Sequence, residues 1–440
     1  MCAYLPSTEA ERRAMLEALG KESALDFFSS VPAEQLAAAE RVDLPEGMSE
    51  LELSRKLNGL AAKNHQFVKI YRGYGAYNHY IPAIVDEIAT RQAFVTTYTP
   101  YQAELSQGVL QTIFEYQTMI CQLTGLDVSN ASVYDGATAA AEAVNMCLER
   151  RRRRVLLSEG LHPQTIETIK SRFHYLDVEI DMIPLAESGE TSVEALAEML
   201  DEKVCGVLVA QPNVLGIIEP AAELFVLAKK AGAKSVLSIN PIAAAILPAA
   251  AEVGADIAVG EGQPLGMPLS FGGPGLGFMA ARQDMMRRLP GRIVGQTTDA
   301  EGRRAFVLTL QAREQHIRRE RAMSNICSNQ ALCALRAGVY LTVMGPQGLR
   351  EAAELSLSKA HYLAARLAEL PGWSLRFDGE FFHEFVTDAP VSGEKINAVL
   401  KEHDILGGYP LEDGGMVWCC TETVTREDMD ELVNILREVG

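Results

Sequence analysis

The stretch from VLLSE (155–159) to GFMAAR (277–282) decides the fold, because short apolar segments alternate in it with amphipathic ones. The apolar segments have the length of strands, and they are VLLSE (155–159), VEIDMIPL (178–185), CGVLVAQ (205–211), SVLSIN (235–240), DIAVGE (256–261) and GFMAAR (277–282). Several are apolar throughout, as expected when helices cover both faces of a mostly parallel sheet. The alternation therefore predicts an open α/β sheet with right-handed crossovers.

The segments on either side of this stretch predict two further parts of the molecule. Residues 1–64 read as helical, with proline punctuation and without a compact core, so we expect a helical arm that packs on another surface. Residues 65–328 form the predicted large domain. Residues 329–440 form a smaller α+β domain, which begins with a predicted long helix over ALCALRAGVYLTVMG (331–345).

Composition and charge exclude several classes of protein. The formal net charge is −18 at pH 7, whereas a nucleic-acid-binding protein needs a cationic face. No segment approaches the length of a membrane-spanning helix, and the N-terminus lacks the apolar core of a secretory signal. The eight cysteines form no C-x-x-C pair and no metal-ligand spacing with histidine, so we expect reduced thiols, no metal site and a cytoplasmic protein.

The turn between the last two predicted strands is dense in glycine. GEGQPLGMPLSFGGPGLGFMAAR (260–282) holds seven glycines, which predicts close backbone approach or several positive φ values. No phosphate-binding loop ending in G-K-[ST] and no G-x-G-x-x-G after a strand is present, so a nucleotide site is not expected. A weaker signal is DGAT (135–138) at the start of a strong helix, where free N–H groups and the helix dipole favour an anion such as a phosphate. Any capped helix shows that pattern.

Several segments together carry a resemblance to a known family. They include YLPSTEAERRAML (4–16), GAYNHYIPAIVDEIA (75–89), YTPYQAELSQG (98–108), GADIAVGEGQPLGMPLSFGGPGLGF (254–278), IRRERAMSNICSNQAL (317–332) and ILGGYPL (405–411). Over nearly its whole length the chain resembles the alpha subunit of the glycine cleavage system P-protein, glycine dehydrogenase (decarboxylating). The resemblance implies a PLP-dependent transferase-like fold (fold type I), an α2β2 assembly and decarboxylation of glycine. It also implies transfer of the aminomethyl group to the lipoyl group of H-protein.

The resemblance further implies where a catalytic chain holds pyridoxal phosphate (PLP), and this chain lacks both key groups. The lysine that forms the internal aldimine is expected upstream of GGPG (272–275), where this sequence has Gln263. The acid that pairs with the pyridinium nitrogen is expected at the end of SVLSIN, where Asn240 stands. A neutral amide does not stabilise a protonated ring nitrogen as a carboxylate does. We therefore expect a non-catalytic subunit, with PLP bound covalently by the beta subunit.

Two sets of candidate site residues follow. The first, which we call the degenerate pocket, stands where a catalytic chain binds PLP and comprises Asp135, Gly136, Thr138, His162, Asn240 and Gln263. The second lies in polar aromatic loops, is expected to complete an active site shared with the partner, and comprises Asn78, His79, Tyr98, Tyr101, Glu104, Ser106 and Gln107. Tyrosine phenols suit a carboxylate or phosphate, and Glu104 suits proton transfer near the lipoyl sulfurs. The alternative for each is a buried side chain that ties down an interface loop.

These expectations combine into one function and its rivals. We expect the non-catalytic alpha subunit of a heterotetrameric glycine decarboxylase, with the beta subunit and lipoylated H-protein as partners and glycine as the substrate of the complex. One alternative is a purely structural or regulatory scaffold that contributes nothing to the active site. Another is an independent PLP enzyme whose lysine lies elsewhere, for example Lys63 or Lys69. The cluster RRER (318–321) faces the partner chain, an acidic protein such as H-protein, or only water.

Overall fold

The computed structural model describes residues 7–39, 45–97 and 99–439. The described residues fall into two compact units, divided between residues 66 and 67. In the first unit the helices are α1 (Glu9–Ala18), α2 (Ala33–Ala39) and α3 (Glu50–Ala61), with a 3-10 turn at Ala24–Phe28. Capping boxes begin α1 at Thr8 and α3 at Ser49, each closed by the glutamate three residues later. Within the described part of this unit no residue is buried.

The second unit holds the strands and the remaining helices. Its strands are β1 (Lys69–Ile70), β2 (Val128–Ser129), β3 (Arg154–Ser158), β4 (Glu179–Ile183), β5 (Val204–Gln211), β6 (Lys234–Ile239), β7 (Ile257–Glu261), β8 (Gly277–Ala281), β9 (Ile293–Thr298), β10 (Arg304–Thr309), β11 (Ser374–Leu375), β12 (Glu384–Asp388), β13 (Ile405–Leu406), β14 (Tyr409–Pro410) and β15 (Met416–Cys419). Its α-helices are α4 (Ala83–Ala89), α5 (Gln92–Val95), α6 (Gln107–Thr124), α7 (Gly136–Cys147), α8 (Pro163–Phe173), α9 (Val193–Met199), α10 (Ala221–Lys230), α11 (Gln315–Arg318), α12 (Ala331–Ala368), α13 (Gly393–Glu402) and α14 (Arg426–Val439). Short 3-10 turns lie at Ala243–Ala245, Gln283–Arg288, Gln311–Arg313 and Arg319–Arg321.

The central sheet has seven strands in the order β2-β8-β7-β6-β5-β3-β4. Strands β3 to β7 run parallel to one another, whereas β8 is antiparallel to β7 and β2 is antiparallel to β8. Each of the six strands predicted from the apolar segments is present, with bounds that differ by at most two residues. The mostly parallel α/β sheet is therefore confirmed.

Both faces of this sheet are buried, which explains the unbroken apolar runs. Val207 of β5 packs in one core with Leu224 of α10. The next residue, Leu208, packs in the opposite core with Ile169 of α8 and Met279 of β8. Because successive strand residues point to opposite faces, a strand covered on both sides needs apolar residues at every position.

The C-terminal part of this unit has its own antiparallel sheet, in the order β11-β12-β15-β14. Helix α12 connects it to the large sheet, since Tyr340 packs in the sheet core and Leu363 packs in the C-terminal core. The predicted helix over 331–345 is confirmed, and a second helical segment that was not predicted follows it. The backbone leaves helical geometry at Gly345 (φ 61, ψ −179) and the helix then resumes to Ala368. The β9–β10 hairpin was not predicted. None of the described helices is long and apolar enough to cross a membrane.

Candidate functional site

The residues of the degenerate pocket lie near the carboxyl ends of the parallel strands, where ligands bind in open α/β sheets. Asn240 directly follows β6, Gln263 lies two residues after β7, and His162 follows β3. The segment from Asp135 to Thr138 begins α7. The loop that carries Tyr74 and Tyr77 contacts this edge through hydrogen bonds to His162 and Gln263.

Gln263, at the expected lysine position, has a fully engaged side chain. Its Nε2 donates to the carbonyl oxygens of Tyr77 (2.9 Å) and Met267 (2.7 Å). Its Oε1 accepts from the Tyr77 N–H at 2.9 Å. The amide thus pairs with the backbone of Tyr77 as a neighbouring strand would, and Gln263 is only 8% exposed. This side chain ties the 74–79 loop to the sheet edge.

Asn240, at the expected acid position, also has a side chain that makes its contacts within the chain. Its Oδ1 accepts from the backbone N–H groups of Ile242 (2.9 Å) and Ala243 (3.2 Å), at the start of a 3-10 turn. Its Nδ2 lies 3.5 Å from Nε2 of His383. An asparagine in this geometry caps a turn, and it brings no negative charge to the pocket.

The start of α7 is an anion site that the chain itself fills. Asp135 is the N-cap, and its Oδ1 accepts from the Thr138 N–H at 2.7 Å. The N–H of Gly136 donates to Oε2 of Glu261 at 2.9 Å. The sequence predicted a helix start that favours an anion such as a phosphate. In the structure a carboxylate of the same chain accepts a hydrogen bond there.

His162 caps α8 and contacts the 74–79 loop. Its Nδ1 accepts from the Gln164 N–H at 3.2 Å, so its Nε2, 3.2 Å from the Tyr74 carbonyl oxygen, carries the proton. Burial lowers the pKa of His162, and the bond to Tyr74 opposes this only in part. The Tyr74 ring lies 4.9 Å from the imidazole and stacks on Tyr409 at 4.2 Å. His162 is thus a neutral helix cap beneath an aromatic loop.

A buried polar cluster beside this pocket escaped the sequence reasoning. Glu384 is 2% exposed and accepts from the Tyr74 N–H (2.6 Å) and the Tyr77 hydroxyl (2.8 Å). His383 is 1% exposed, and burial together with the nearby His79 holds its pKa well below the usual range. A His-Glu pair at the start of an otherwise apolar strand, in FFHEFVTD, was the available signal.

The first of the two aromatic loops folds back onto its own chain. His79 is buried, and its Nδ1 lies 2.7 Å from Oε2 of Glu422. The carbonyl oxygen of Asn78 accepts from the Thr421 hydroxyl at 2.7 Å. These contacts dock the loop on the segment after β15. The shared-site role of Asn78 and His79 stays a prediction.

The second loop presents both anchored and exposed side chains. Tyr98 lies outside the described residues. Tyr101 stacks on the Arg292 guanidinium at 4.4 Å, and its hydroxyl donates to Asn329 at 3.2 Å. Glu104 is exposed, as is its neighbour Leu105. The loop is thus held from below by Arg292 and open to solvent at its tip.

Helix α6 begins just after this tip. Ser106 is buried and is its N-cap residue, although its side chain makes no capping hydrogen bond. Gln107 pairs with both backbone groups of Phe306, since Oε1 accepts from the N–H at 2.9 Å and Nε2 donates to the carbonyl at 2.8 Å. The hydrogen bonds of Tyr101 and Gln107 lead to Asn329 and β10, and among the described contacts none reaches the degenerate pocket.

The residues at the sheet edge do not fit covalently bound PLP. A Schiff base needs a lysine amine, and Gln263 has an amide at the expected position. A phosphate needs the free N–H groups at the start of α7, and the Glu261 carboxylate accepts from Gly136 there. Among the residues that the structure describes, no group of three or more His, Cys, Asp or Glu side chains is arranged to hold a metal ion.

Comparisons with known proteins place these features in a family. The family model of the glycine cleavage system P-protein matches residues 2–436. A probable glycine dehydrogenase (decarboxylating) subunit 1 of Desulfitobacterium hafniense is 47% identical over 445 residues, which cover 99% of each chain. The crystal structure of a glycine decarboxylase (P-protein) of the glycine cleavage system, in inhibitor-bound form, matches with a TM-score of 0.95 and 41% identity over 100% of both chains. A C-DES mutant with glycine covalently linked to its PLP cofactor shares the fold alone, with a TM-score of 0.65 and 17% identity over 86% of this chain and 99% of that one.

Proposed function

The chain belongs to the glycine cleavage system P-protein family, and from this premise we propose that it is the non-catalytic alpha subunit of a glycine decarboxylase. Its fold is that of PLP-dependent proteins of fold type I. It acts as part of an enzyme complex, glycine dehydrogenase (decarboxylating), with a partner subunit. The reaction of that complex is the decarboxylation of glycine.

In this proposal the partner subunit holds PLP and its lysine. The observation that carries the proposal is Gln263, whose amide stands at the expected lysine position and is committed to Tyr77 and Met267. Asn240 supports it, because it brings no carboxylate for a pyridinium nitrogen. The chain on its own is then inactive, and its contribution is the surface that it presents to the partner.

That surface includes the loop from Tyr98 to Gln107. Glu104 is exposed and within the loop that Arg292 and Asn329 anchor through Tyr101. A carboxylate on an anchored loop is suited to accept or donate a proton at a partner's reacting group. Tyr98, Ser106, Asn78 and His79 complete the proposed shared set.

The proposal also includes an α2β2 assembly and H-protein as a second partner. Arg318, Arg319 and Arg321 are exposed on the segment before α12, in a chain whose net charge is −18. Such a local basic surface suits an acidic protein such as lipoylated H-protein, because complementary charge steers association. The complex is proposed to be cytoplasmic, in keeping with the free thiols of the seven described cysteines.

The experiment that tests the proposal is PLP incorporation and glycine–bicarbonate exchange, measured on the isolated chain and after addition of the beta subunit and H-protein. We expect no borohydride-reducible PLP and no exchange from the chain alone, and both after mixing. A reducible aldimine on the chain alone would contradict the assignment of Gln263. It would also favour a lysine elsewhere, such as Lys63 or Lys69.

A second experiment separates the shared site from the scaffold alternative. Tyr101→Ala removes the ring over Arg292, and we expect it to lower the turnover of each assembled complex roughly tenfold or more through misplacement of the loop. Tyr175→Ala is the matched control, since Tyr175 is 93% exposed and lies far along the chain between α8 and β4. If Tyr101→Ala reduces the amount of assembled complex but leaves turnover per complex intact, the chain is a scaffold.

A further inference from the structure

Glu314 is a buried carboxylate that belongs to neither set of candidate site residues. Its side chain is 3% exposed, and its Oε2 forms an ion pair with Nη1 of Arg292, whose side chain is 11% exposed. His316 lies 3.9 Å from the same oxygen and is half exposed. The other oxygen, Oε1, is buried and has no hydrogen-bond partner among the described residues. The charges of Glu314 and Arg292 are therefore balanced chiefly by each other.

This ion pair lies beneath the ring of Tyr101. The Arg292 guanidinium is 4.4 Å from the centre of that ring, and the Tyr101 hydroxyl donates to Oδ1 of Asn329 at 3.2 Å. The two anchors are connected through Ala131, whose N–H donates to the Arg292 carbonyl oxygen (2.8 Å) and whose carbonyl oxygen accepts from Asn329 (3.3 Å). Because Nε of Arg292 has no hydrogen-bond partner in the described chain, the ion pair is the contact that orients the guanidinium.

The segment that carries Glu314 has a strained backbone at both ends. Leu310 has φ 55 and Arg319 has φ 54, in the left-handed region that residues other than glycine rarely adopt. Such conformations persist where contacts with the surrounding structure enforce them. Here Arg313 donates to two backbone carbonyl oxygens in the segment just before β9, and Glu314 binds the side chain of Arg292 in that same segment.

We infer that Glu314 is a positioning residue for the shared active site, because it fixes the guanidinium on which Tyr101 stacks and thereby holds the 99–107 loop that carries Glu104. The inference deepens the proposed function and rests on it. Without the carboxylate, Arg292 keeps a buried charge that no other described group balances, and its guanidinium turns toward water and away from the ring. The loop then no longer presents Glu104 to the partner's reacting group at one fixed distance.

The first test is glycine–bicarbonate exchange by a complex reconstituted with Glu314→Gln, measured per assembled complex. The amide keeps the volume of the side chain and removes its charge. We expect turnover to fall roughly tenfold, because a small misplacement of a reacting group costs that much or more, whereas the KM for glycine should change by less than about twofold. In a chain that already carries Tyr101→Ala, Glu314→Gln should lower turnover by less than about twofold, because its effect passes through that ring.

The second test needs neither PLP nor the partner subunit. It is the deuterium exchange of the amides of residues 99–107 in the isolated full-length chain. Glu314→Gln should accelerate this exchange about tenfold, while the amides of β5 and β6 keep their rates. Glu142→Gln is the matched control, because the side chain of Glu142 is 4% exposed and lies 3.7 Å from its arginine partner, Arg172. It should change neither the exchange of the loop nor the turnover per complex.

Arg292→Lys is the second variant, for the case in which the complex with Glu314→Gln does not assemble. Lysine keeps the positive charge beside Glu314 but lacks the planar guanidinium that stacks on the ring, so turnover per complex should again fall roughly tenfold and loop exchange in the isolated chain should again accelerate.

Three results would overturn the inference. They are wild-type turnover in either variant, independent losses that multiply when Glu314→Gln is combined with Tyr101→Ala, and unchanged exchange of the 99–107 amides. Each of them leaves the complex with the wild-type chain active. Failure of the proposed function is recognised separately, by a reducible aldimine on the isolated wild-type chain.

Discussion

Glu384 carries a carboxyl group that the fold buries beside hydrogen-bond donors. Its carboxyl group is almost fully buried, with the Tyr74 N–H and the Tyr77 hydroxyl as donors. Burial raises its pKa from 4.5 to about 7, and the two donors offset this only in part. The folded chain therefore holds a proton on Glu384 at a pH at which the unfolded chain has released it.

The sign of the pH dependence follows from that difference. Because the folded state binds the extra proton, stability is fully present below about pH 4.5 and falls as the pH rises toward about 7. We expect Glu384 to account for a loss of roughly 1–3 kcal/mol over this window. In Glu384→Gln that part of the slope should vanish, as urea denaturation at pH 5 and pH 8 can measure. An unchanged slope would show that Glu384 is ionised in the folded chain at both pH values.

At the scale of elements, the helical geometry of α12 is interrupted at one residue. Gly345 has φ 61 and ψ −179, a conformation open to glycine almost alone, and Pro346 follows it. We expect Gly345→Ala to lower the free energy of unfolding by ~1–3 kcal/mol. Gly338→Ala in the same helix is the control, since a Cβ there meets no atom within 4 Å, and it should raise stability by ~0.5–1 kcal/mol. Thermal denaturation of both variants measures the contrast, and equal effects would show that the backbone at 345 relaxes.

The elements differed in how well the sequence predicted them. The six sheet strands were predictable because burial on both faces leaves unbroken apolar runs such as CGVLVAQ. The β9–β10 hairpin was missed because IVGQTT and RAFVLT mix polar and apolar residues, and Gln107 and Gln117 of α6 hold their backbones through side-chain amides. The helix after Gly345 was missed because a Gly-Pro pair usually ends a helix.

In the candidate site, the sequence predicted only individual positions that the loss of a single chemical group marks. The resemblance located Gln263 by its place upstream of GGPG (272–275) and Asn240 by its place at the end of SVLSIN, and both lie just after strands, β7 and β6. Their partners were not predictable. Gln263 pairs with Tyr77 and Asn240 approaches His383, contacts that span 186 and 143 residues of sequence, and no local pattern encodes such a distance.

At the scale of the whole molecule, the hydrophobic cores lie in one unit, and the described part of the N-terminal helical arm contributes no residue to them. The four hydrophobic clusters of the described chain are formed by residues from 71 to 439. In the arm, Leu53, Leu57 and Leu60 recur at helical spacing in α3 and are each about half exposed. We expect this apolar stripe to pack on another surface, since a row of exposed leucines is a typical interaction surface, and the partner subunit is the surface to test.

Replacement of these three leucines by serine should therefore weaken assembly and leave the isolated chain stable. We expect the unfolding midpoint of the chain to change by no more than ~2 °C, since no core residue is altered. The affinity for the beta subunit should fall at least tenfold, as measured by analytical ultracentrifugation of mixtures. Serine at Arg55 and Lys56, on the same helix, is the control. Unchanged affinity in the leucine variant would exclude the stripe from the interface.

The pairing of Gln263 with Tyr77 has one consequence for the timing of motions in solution. The Tyr77 N–H is bonded to a side chain rather than to a neighbouring strand. Its hydrogen can therefore exchange with deuterium whenever the glutamine swings away, without any separation of strands. The exchange rate of this single amide then reports how often the loop opens at the sheet edge. The slowest amides of β5 and β6 exchange at a rate that global unfolding determines, so the two rates are independent.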